Sequence, residues 1–427
     1  MTHNLAIVTC FLLLITTSQV KAEASFKVGT AIGSITPTTA QLLSTDYFMG
    51  GYGFWKDRGP ARGTHDLLTV RTVCIEVDTA VCLVVLDSLG IPGPLATQIK
   101  QTAAIQSGVP ADNILISATH THAAPDLLGL WGGSPASYRA SIIDEVAATV
   151  ASAYHGRVAS NLTFAEGTGK AHNRRGWEFT DDDLGLLAIH DPGDETLLGA
   201  IVFFAAHPVI SPMENHELSS DFVHYLREEL TTKLNAPIIY FNGAIGDVNP
   251  SEQREDDFWP AADAYGKALA NQVTALIHKL EPLQPTLTLD RETVRFPVEN
   301  TTLNIAGLLG LLDANTKGPF WDRSIDANLN LLTIGSQLNI VTLPGEATTR
   351  LGLTLKRQLP GDYAVIIGQT EDSLGYMIPR DEWQTGRNGN YEETVSLGIS
   401  SAPLVIEGLQ NLVIRLEESV PQVESTQ

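Results

Sequence analysis

The feature that most narrows the fold of this chain is a set of short apolar runs with no polar alternation. Val81 to Leu86 reads Val-Cys-Leu-Val-Val-Leu, and Ile201 to Phe204 reads Ile-Val-Phe-Phe. A strand with one wetted face alternates apolar and polar residues, whereas a run apolar at every position fits a strand covered on both sides. Strand-like runs are predicted at Val81–Asp87, Asn113–Ser117, Leu186–Ile189, Gly199–Ala205, Ile238–Phe241 and Gln337–Leu343. Helical patterns fall near Pro94–Gln106, Ser137–Tyr154, Asp221–Leu234, Ala261–Leu280 and Thr348–Gln358. This succession predicts an α/β protein, a mixed β-sheet core with flanking helices, folded as a single large domain. The segment Pro282–Leu308, rich in Thr and Pro, predicts an antiparallel hairpin.

Charge removes some functions. The formal net charge is −22 with no basic cluster, which argues against nucleic acid and against electrostatic attachment to anionic membranes. The apolar run Leu5 to Thr17 is short for a bilayer span and is followed by small-residue cleavage sites, so residues 1–22 read as a secretory signal peptide. That predicts a secreted or periplasmic protein with no stable membrane insertion after cleavage; an uncleaved N-terminal anchor is the competing reading. Cys74 and Cys82 lie on two strands joined by a turn at Asp78-Thr79, either as a cross-strand disulfide or as buried thiols. No Cys-x-x-Cys occurs, so metal ligands would be histidine, carboxylate or phenolate.

Polar or Gly/Pro-rich connections follow many strands: Asp87-Ser-Leu-Gly, Thr119-His-Thr-His, His207-Pro, Asn242-Gly-Ala-Ile-Gly-Asp and Pro344-Gly-Glu. Ligands collect beyond strand ends in α/β sheets, so these junctions are expected to converge on one cleft. In Thr119-His-Thr-His122, side chains at i and i+2 of an extended segment would point the same way and reach one polar centre. His207 ends another strand, and Glu346 follows a third. His120, His207 and Glu346 form the two-imidazole, one-carboxylate set common in hydrolytic zinc sites. Each alone also fits a core histidine or a carboxylate at a helix N-terminus; their joint placement at strand ends favours a site.

Other residues carry two readings. Asp87 would orient a ligand histidine or close a turn. His65-Asp66 would face the cleft or the surface, and the glycines of Asn242–Asp247 would offer N–H groups or simply turn the chain. Leu127–Leu130 and Trp131 would wall the cleft or fill the core.

Ser117-Ala-Thr-His-Thr-His122, Ala205-Ala-His-Pro with Ser219-Ser-Asp221, Leu343-Pro-Gly-Glu-Ala-Thr-Thr349, and Gly375-Tyr376 with Tyr391-Glu392 form an ordered series. In that series the chain resembles the neutral (non-lysosomal) ceramidase family from about Gly29 to Gly398. The resemblance implies a zinc-dependent amidase domain over residues 25–418 that cleaves N-acylsphingosine, or ceramide. It implies a Zn2+ ion held by His120, His207, Glu346 and Tyr376, with His122, Arg174 and Tyr391 as catalytic residues; Arg175 is the alternative to Arg174. The chain departs from the family pattern at Asn249, where a serine is common, at Trp383, where a tyrosine is expected, and in the spacing of Tyr376 and Tyr391. It is also expected to lack the family's C-terminal immunoglobulin-like domain. The partner expected is a small-molecule or lipid substrate, and oligomeric state is left open. Two other readings stand beside a ceramidase: the same zinc site acting on another amide, an ester, a lactone or an N-acylated sugar, and a non-enzymatic binding protein.

Overall fold

Strands apolar on both faces find both faces covered, because two sheets pack on each other and each is backed by helices. A computed structural model describes residues 25–53, 58–250, 257–309, 314–384 and 391–419. The segment read as a signal peptide lies outside these residues. In the strand Ala80–Leu86, Val81, Leu83 and Val85 enter the core between the sheets, while Cys82, Val84 and Leu86 pack beneath helices. Ile201 and Phe203 alternate with Val202 and Phe204 in the same way, as do Val365 and Ile367 with Ile366.

The larger sheet runs from edge to edge through Ile238–Asn242, Leu197–Phe204, Asp183–His190, Val158–Thr168, Phe26–Ser34, Thr69–Glu76, Ala80–Leu86 and Ile114–Ala118. The smaller orders Leu287–Pro297, Ser324–Ile334, Leu338–Thr342 and Tyr363–Ile367. Helices Gly93–Ser107 and Ala136–His155 cover one half of the larger sheet, and Phe222–Leu234 with Phe258–Leu276 cover the other. Thr349–Lys356 and Ser401–Ser419 back the smaller sheet. The result is a mixed α/β sandwich in four layers. No helix among the described residues is long and apolar enough to cross a membrane.

The hairpin expected over Pro282–Leu308 does not form. Leu287–Pro297 is one long strand, and its partner is Ser324–Ile334, in register from Leu287 opposite Ile334 to Pro297 opposite Ser324. The return strand is replaced by a helix, Thr301–Leu308, because the Asn300 side chain accepts hydrogen bonds from the Thr302 and Leu303 N–H groups and caps it. Cys74 and Cys82 face each other across two antiparallel strands and are disulfide-bonded.

Within the two main sheets, Ala80–Leu86 with Ile114–Ala118, Leu197–Phe204 with Ile238–Asn242, and Leu338–Thr342 with Tyr363–Ile367 pair in parallel. The loops leaving their C-terminal ends are tied to one another. The Ala118 N–H donates to the Gln369 carbonyl (3.1 Å), Glu371 N–H to Ile116 (2.7 Å) and Gly368 N–H to Asn242 (3.0 Å). The seam between the two sheets is where the candidate site lies.

Candidate metal centre

The strand carrying the histidine pair ends at Ala118, and the chain then turns, so the extended i, i+2 geometry expected for His120 and His122 is not what joins them. His120 has φ +66°, in the left-handed region that side-chain-bearing residues seldom enter. Thr119 is held on one side of this turn by the Asn242 carboxamide, which donates to its carbonyl. The kink still converges the rings: centroids lie 5.1 Å apart for His120 and His122, 4.8 Å for His120 and His207, and 5.7 Å for His122 and His207.

His120 Nδ1 lies 2.5 Å from the Leu89 carbonyl, which can only accept, so Nδ1 carries the proton and the Nε2 lone pair faces inward. His120 Nε2 is 3.4 Å and His207 Nε2 3.2 Å from the same atom, Glu346 Oε2. One ligand atom from each of His120, His122 and His207 lies within 4.8 Å of the others. All four side chains are buried. Both ring nitrogens of His122, Nδ1 of His207 and Oε2 of Glu346 lack hydrogen-bond partners. Each buried polar atom left unsatisfied costs about 1–3 kcal/mol, and a cation beside Glu346 Oε2 would relieve that atom while taking one nitrogen from each imidazole that faces it. The donors therefore fit a metal ion, and an all-N/O set suits zinc and other divalent first-row ions.

Protonation agrees with that fit. Burial, followed by the charges of His120 and His207, pushes His122 well below the ordinary histidine range, and burial lowers His207. Burial alone would raise the Glu346 carboxyl, but the His120 and His207 rings together hold it well below the usual carboxylate range. Metal binding requires deprotonated ligands, and the lowered His207 and the ionised Glu346 move in that direction.

Tyr376 comes to the centre by pairing. Glu346 and Tyr376 face each other on a two-residue parallel ribbon, Glu346–Ala347 with Tyr376–Met377. Burial first, and then the Glu346 charge, keep the Tyr376 phenol protonated far above its usual range. Arg174 Nη2 lies 3.2 Å from the Tyr376 hydroxyl and donates to the Gly246 carbonyl at 2.6 Å, while Nη1 pairs with Glu392. Arg175 pairs instead with Glu392 at 3.0 Å and Glu393 at 2.8 Å. Tyr391 stands at the rim, 37 % exposed, its ring 5.8 Å from that of Tyr376; burial and then Glu346 push its phenol up to about 12.

His120, His122, Glu346, Tyr376 and Tyr391 line a cleft of about 850 Å³, open mouth included, walled by Leu89, Leu128, Leu130, Trp131, Leu303 and Leu374. Of the run expected as a wall, Leu127 is core, whereas Leu128, Leu130 and Trp131 line the cleft. No protein-family model matches the chain, and no curated protein matches it in sequence. In three dimensions it superposes on neutral ceramidase from Pseudomonas aeruginosa with a TM-score of 0.78 at 17% identity, over 93% of this chain and 75% of that one. A ceramidase complexed with C2 gives 0.77 at 16% identity, over 93% and 76%. The fold is that of neutral ceramidase.

Within this neutral-ceramidase fold, the glycine-rich segment Gly50–Gly53 supplies residues that sequence reasoning passed over. Gly51 has φ +94°, and a β-carbon there would stand 2.4 Å from His122 Nδ1. The Tyr52 ring packs edge-on to His122 at 4.6 Å, its hydroxyl donating to the Ser211 carbonyl. Buried Arg58 donates to the carbonyls of His122, Gly50 (2.6 Å) and Asn215 (3.1 Å), clamping this wall to the histidine loop. The run of glycines was the available signal; nothing local marks Arg58.

Several expected neighbours lie elsewhere in the fold. Asp87 accepts from Arg227 (2.9 Å) and from the Thr69 N–H and hydroxyl (each 2.8 Å), so it braces strands and orients no histidine. His65 stacks on Trp259 at 3.9 Å, and Asp66 binds the Ser220 N–H; both line a separate cavity. The Asn242–Asp247 loop is a tie: Gly246 N–H donates to Ala347 (2.8 Å), and Asp247 accepts from Thr349 N–H (2.7 Å) and Asn173 (2.7 Å).

Asp221, behind Tyr52, caps Phe222–Leu234 and accepts from the Ser211 N–H at 2.8 Å; burial pushes its carboxyl up to about 6. A carboxyl raised in the folded state contributes stability that is complete below its unfolded value, near 4, and is lost as pH rises through the folded value. Relative to Asp221→Asn, the wild type is therefore expected to lose on the order of 3 kcal/mol between pH 4 and pH 7. Denaturant unfolding at each pH measures the difference, and a gap that stays constant refutes the assignment.

Proposed function

We propose that this chain is a zinc-dependent amidohydrolase that cleaves the amide bond of N-acylsphingosine or a related N-acyl lipid. The observation that carries the reading is the buried cluster of His120, His122, His207 and Glu346, several of whose polar atoms lack a hydrogen-bond partner, beside an apolar cleft that His120, His122 and Glu346 line. A polar floor beneath apolar walls suits a substrate whose scissile group is polar and whose chains are long. Each methylene buried against those walls contributes about 0.8 kcal/mol. The likeness of fold to two ceramidase structures supports the same class.

His120, His207, Glu346 and Tyr376 would hold the metal. Bound there, zinc would polarise the amide carbonyl and bring the pKa of an attacking water toward neutrality. His122 is neutral and has both ring nitrogens without protein partners, so it can take a proton at one and deliver it to the departing amine. Arg174 holds the Tyr376 hydroxyl in place, and Tyr391 offers an O–H donor at the rim toward the developing oxyanion. The Cys74–Cys82 disulfide supports a secreted or periplasmic location, since such bonds persist in oxidising compartments.

The test is a panel. Zinc-loaded protein is incubated with a fluorescent N-acylsphingosine beside soluble amides, esters, lactones and N-acylated sugars. Turnover of the lipid, abolished by chelation and restored by zinc, is the expected result. Stoichiometric metal without lipid turnover would overturn the substrate assignment, and hydrolysis confined to another class would replace it.

A further inference from the structure

Gln369 is a polar group of the cleft that the reaction described above leaves unused. It follows the strand Tyr363–Ile367, is 1% exposed, and lines the cleft together with His120 and Glu346. Its φ of +51° lies in the left-handed region. A residue with a β-carbon stays there only when its surroundings hold it, and such residues cluster at functional sites. Here both backbone groups are tied: the N–H donates to Gly345 (3.3 Å) and the carbonyl accepts from Ala118 (3.1 Å).

The side-chain carbonyl is not tied. Oε1 is buried and has no hydrogen-bond partner. A glycine would meet the backbone requirement without strain, and an aliphatic side chain would meet the burial, but a carboxamide is the best answer to neither. An unpaired buried carbonyl keeps the full desolvation penalty until a donor arrives. Leu89 and Leu374 of the same cleft are apolar, and no protein donor reaches Oε1. A ligand hydroxyl or amide N–H would.

We propose that the Gln369 carboxamide is a specificity anchor that hydrogen-bonds a hydroxyl or N–H of the substrate's polar head and selects hydroxylated over deoxy N-acyl lipids. This rests on the N-acyl lipid reading above. A site built to bind a hydroxyl rejects the analogue lacking it, because its own polar group is then left unpaired. Selectivity is therefore the readout that separates an anchor from a merely structural residue.

The experiment measures kcat/KM for a hydroxylated N-acyl lipid and its deoxy analogue with wild type, Gln369→Leu and Gln369→Met, and metal content for all three. Met keeps the length of the side chain and guards against a packing artefact in Leu. Wild type is expected to favour the hydroxylated lipid by up to about 10²-fold, the cost of one buried carbonyl left unpaired, and both variants to bring that ratio toward one while retaining stoichiometric metal. Variants that keep the wild-type ratio, or that lose metal, overturn the proposal alone. Failure of the wild type to hydrolyse either lipid overturns the parent reading and the proposal with it.

Discussion

Replacing Glu346 with alanine is expected to empty the centre of metal and to lower turnover by at least about 10³-fold while the fold persists. Glu346 Oε2 is the atom that His120 Nε2 and His207 Nε2 both face, at 3.4 and 3.2 Å. Without it the cation would meet neutral imidazoles in a buried setting, its charge uncompensated. His122→Ala is expected to behave differently, keeping metal and losing rate. Elemental analysis beside a turnover assay reads both, with circular dichroism as the check on folding. If His122→Ala lost metal while Glu346→Ala kept it, the ligand set would be the three histidines instead, and the carboxylate would have another duty.

Gly51→Ala is expected to reduce activity about 10²-fold without replacing any group that carries the chemistry. The new β-carbon would stand 2.4 Å from His122 Nδ1, a separation that cannot persist, and the backbone at φ +94° already disfavours it. The wall cannot simply retreat, because Arg58 fixes Gly50 and His122 through their carbonyls. The imidazole must therefore move, and a displacement near 1 Å is enough to spoil proton transfer. Metal content is expected to hold, since His122 is not among the proposed ligands. A variant with wild-type rate would show that His122 tolerates displacement and does not transfer the proton.

What could be read in the sequence was whatever a strand end advertises. His120, His207 and Glu346 each follow a continuous apolar run, and helices such as Phe222–Leu234 lie close to their expected bounds. The second sheet was far less visible, because Leu287–Pro297 carries Asp290, Arg291 and Glu292 in succession and pairs with a strand that begins only at Ser324. Geometry within the centre was also hidden: the left-handed turn at His120 depends on Asn242, more than a hundred residues away. Tyr376 was reached by family resemblance, while its opposition to Glu346 exists only once the small ribbon forms. Arg58 binds backbone carbonyls, which leave no trace in the identity of the residues that bear them.

The seam between the sheets has a consequence for when the centre comes into being. Its donors come from positions 120, 207, 346 and 376, and the loops that carry them touch only where the two sheets meet. Contacts so distant along the chain form late in folding, after the local helices and hairpins have ordered. Metal capture should thus trail the recovery of secondary structure during refolding. Nascent chains would remain metal-free until the last third of the sequence is made, and a bound ion would mark a molecule whose two halves have already closed.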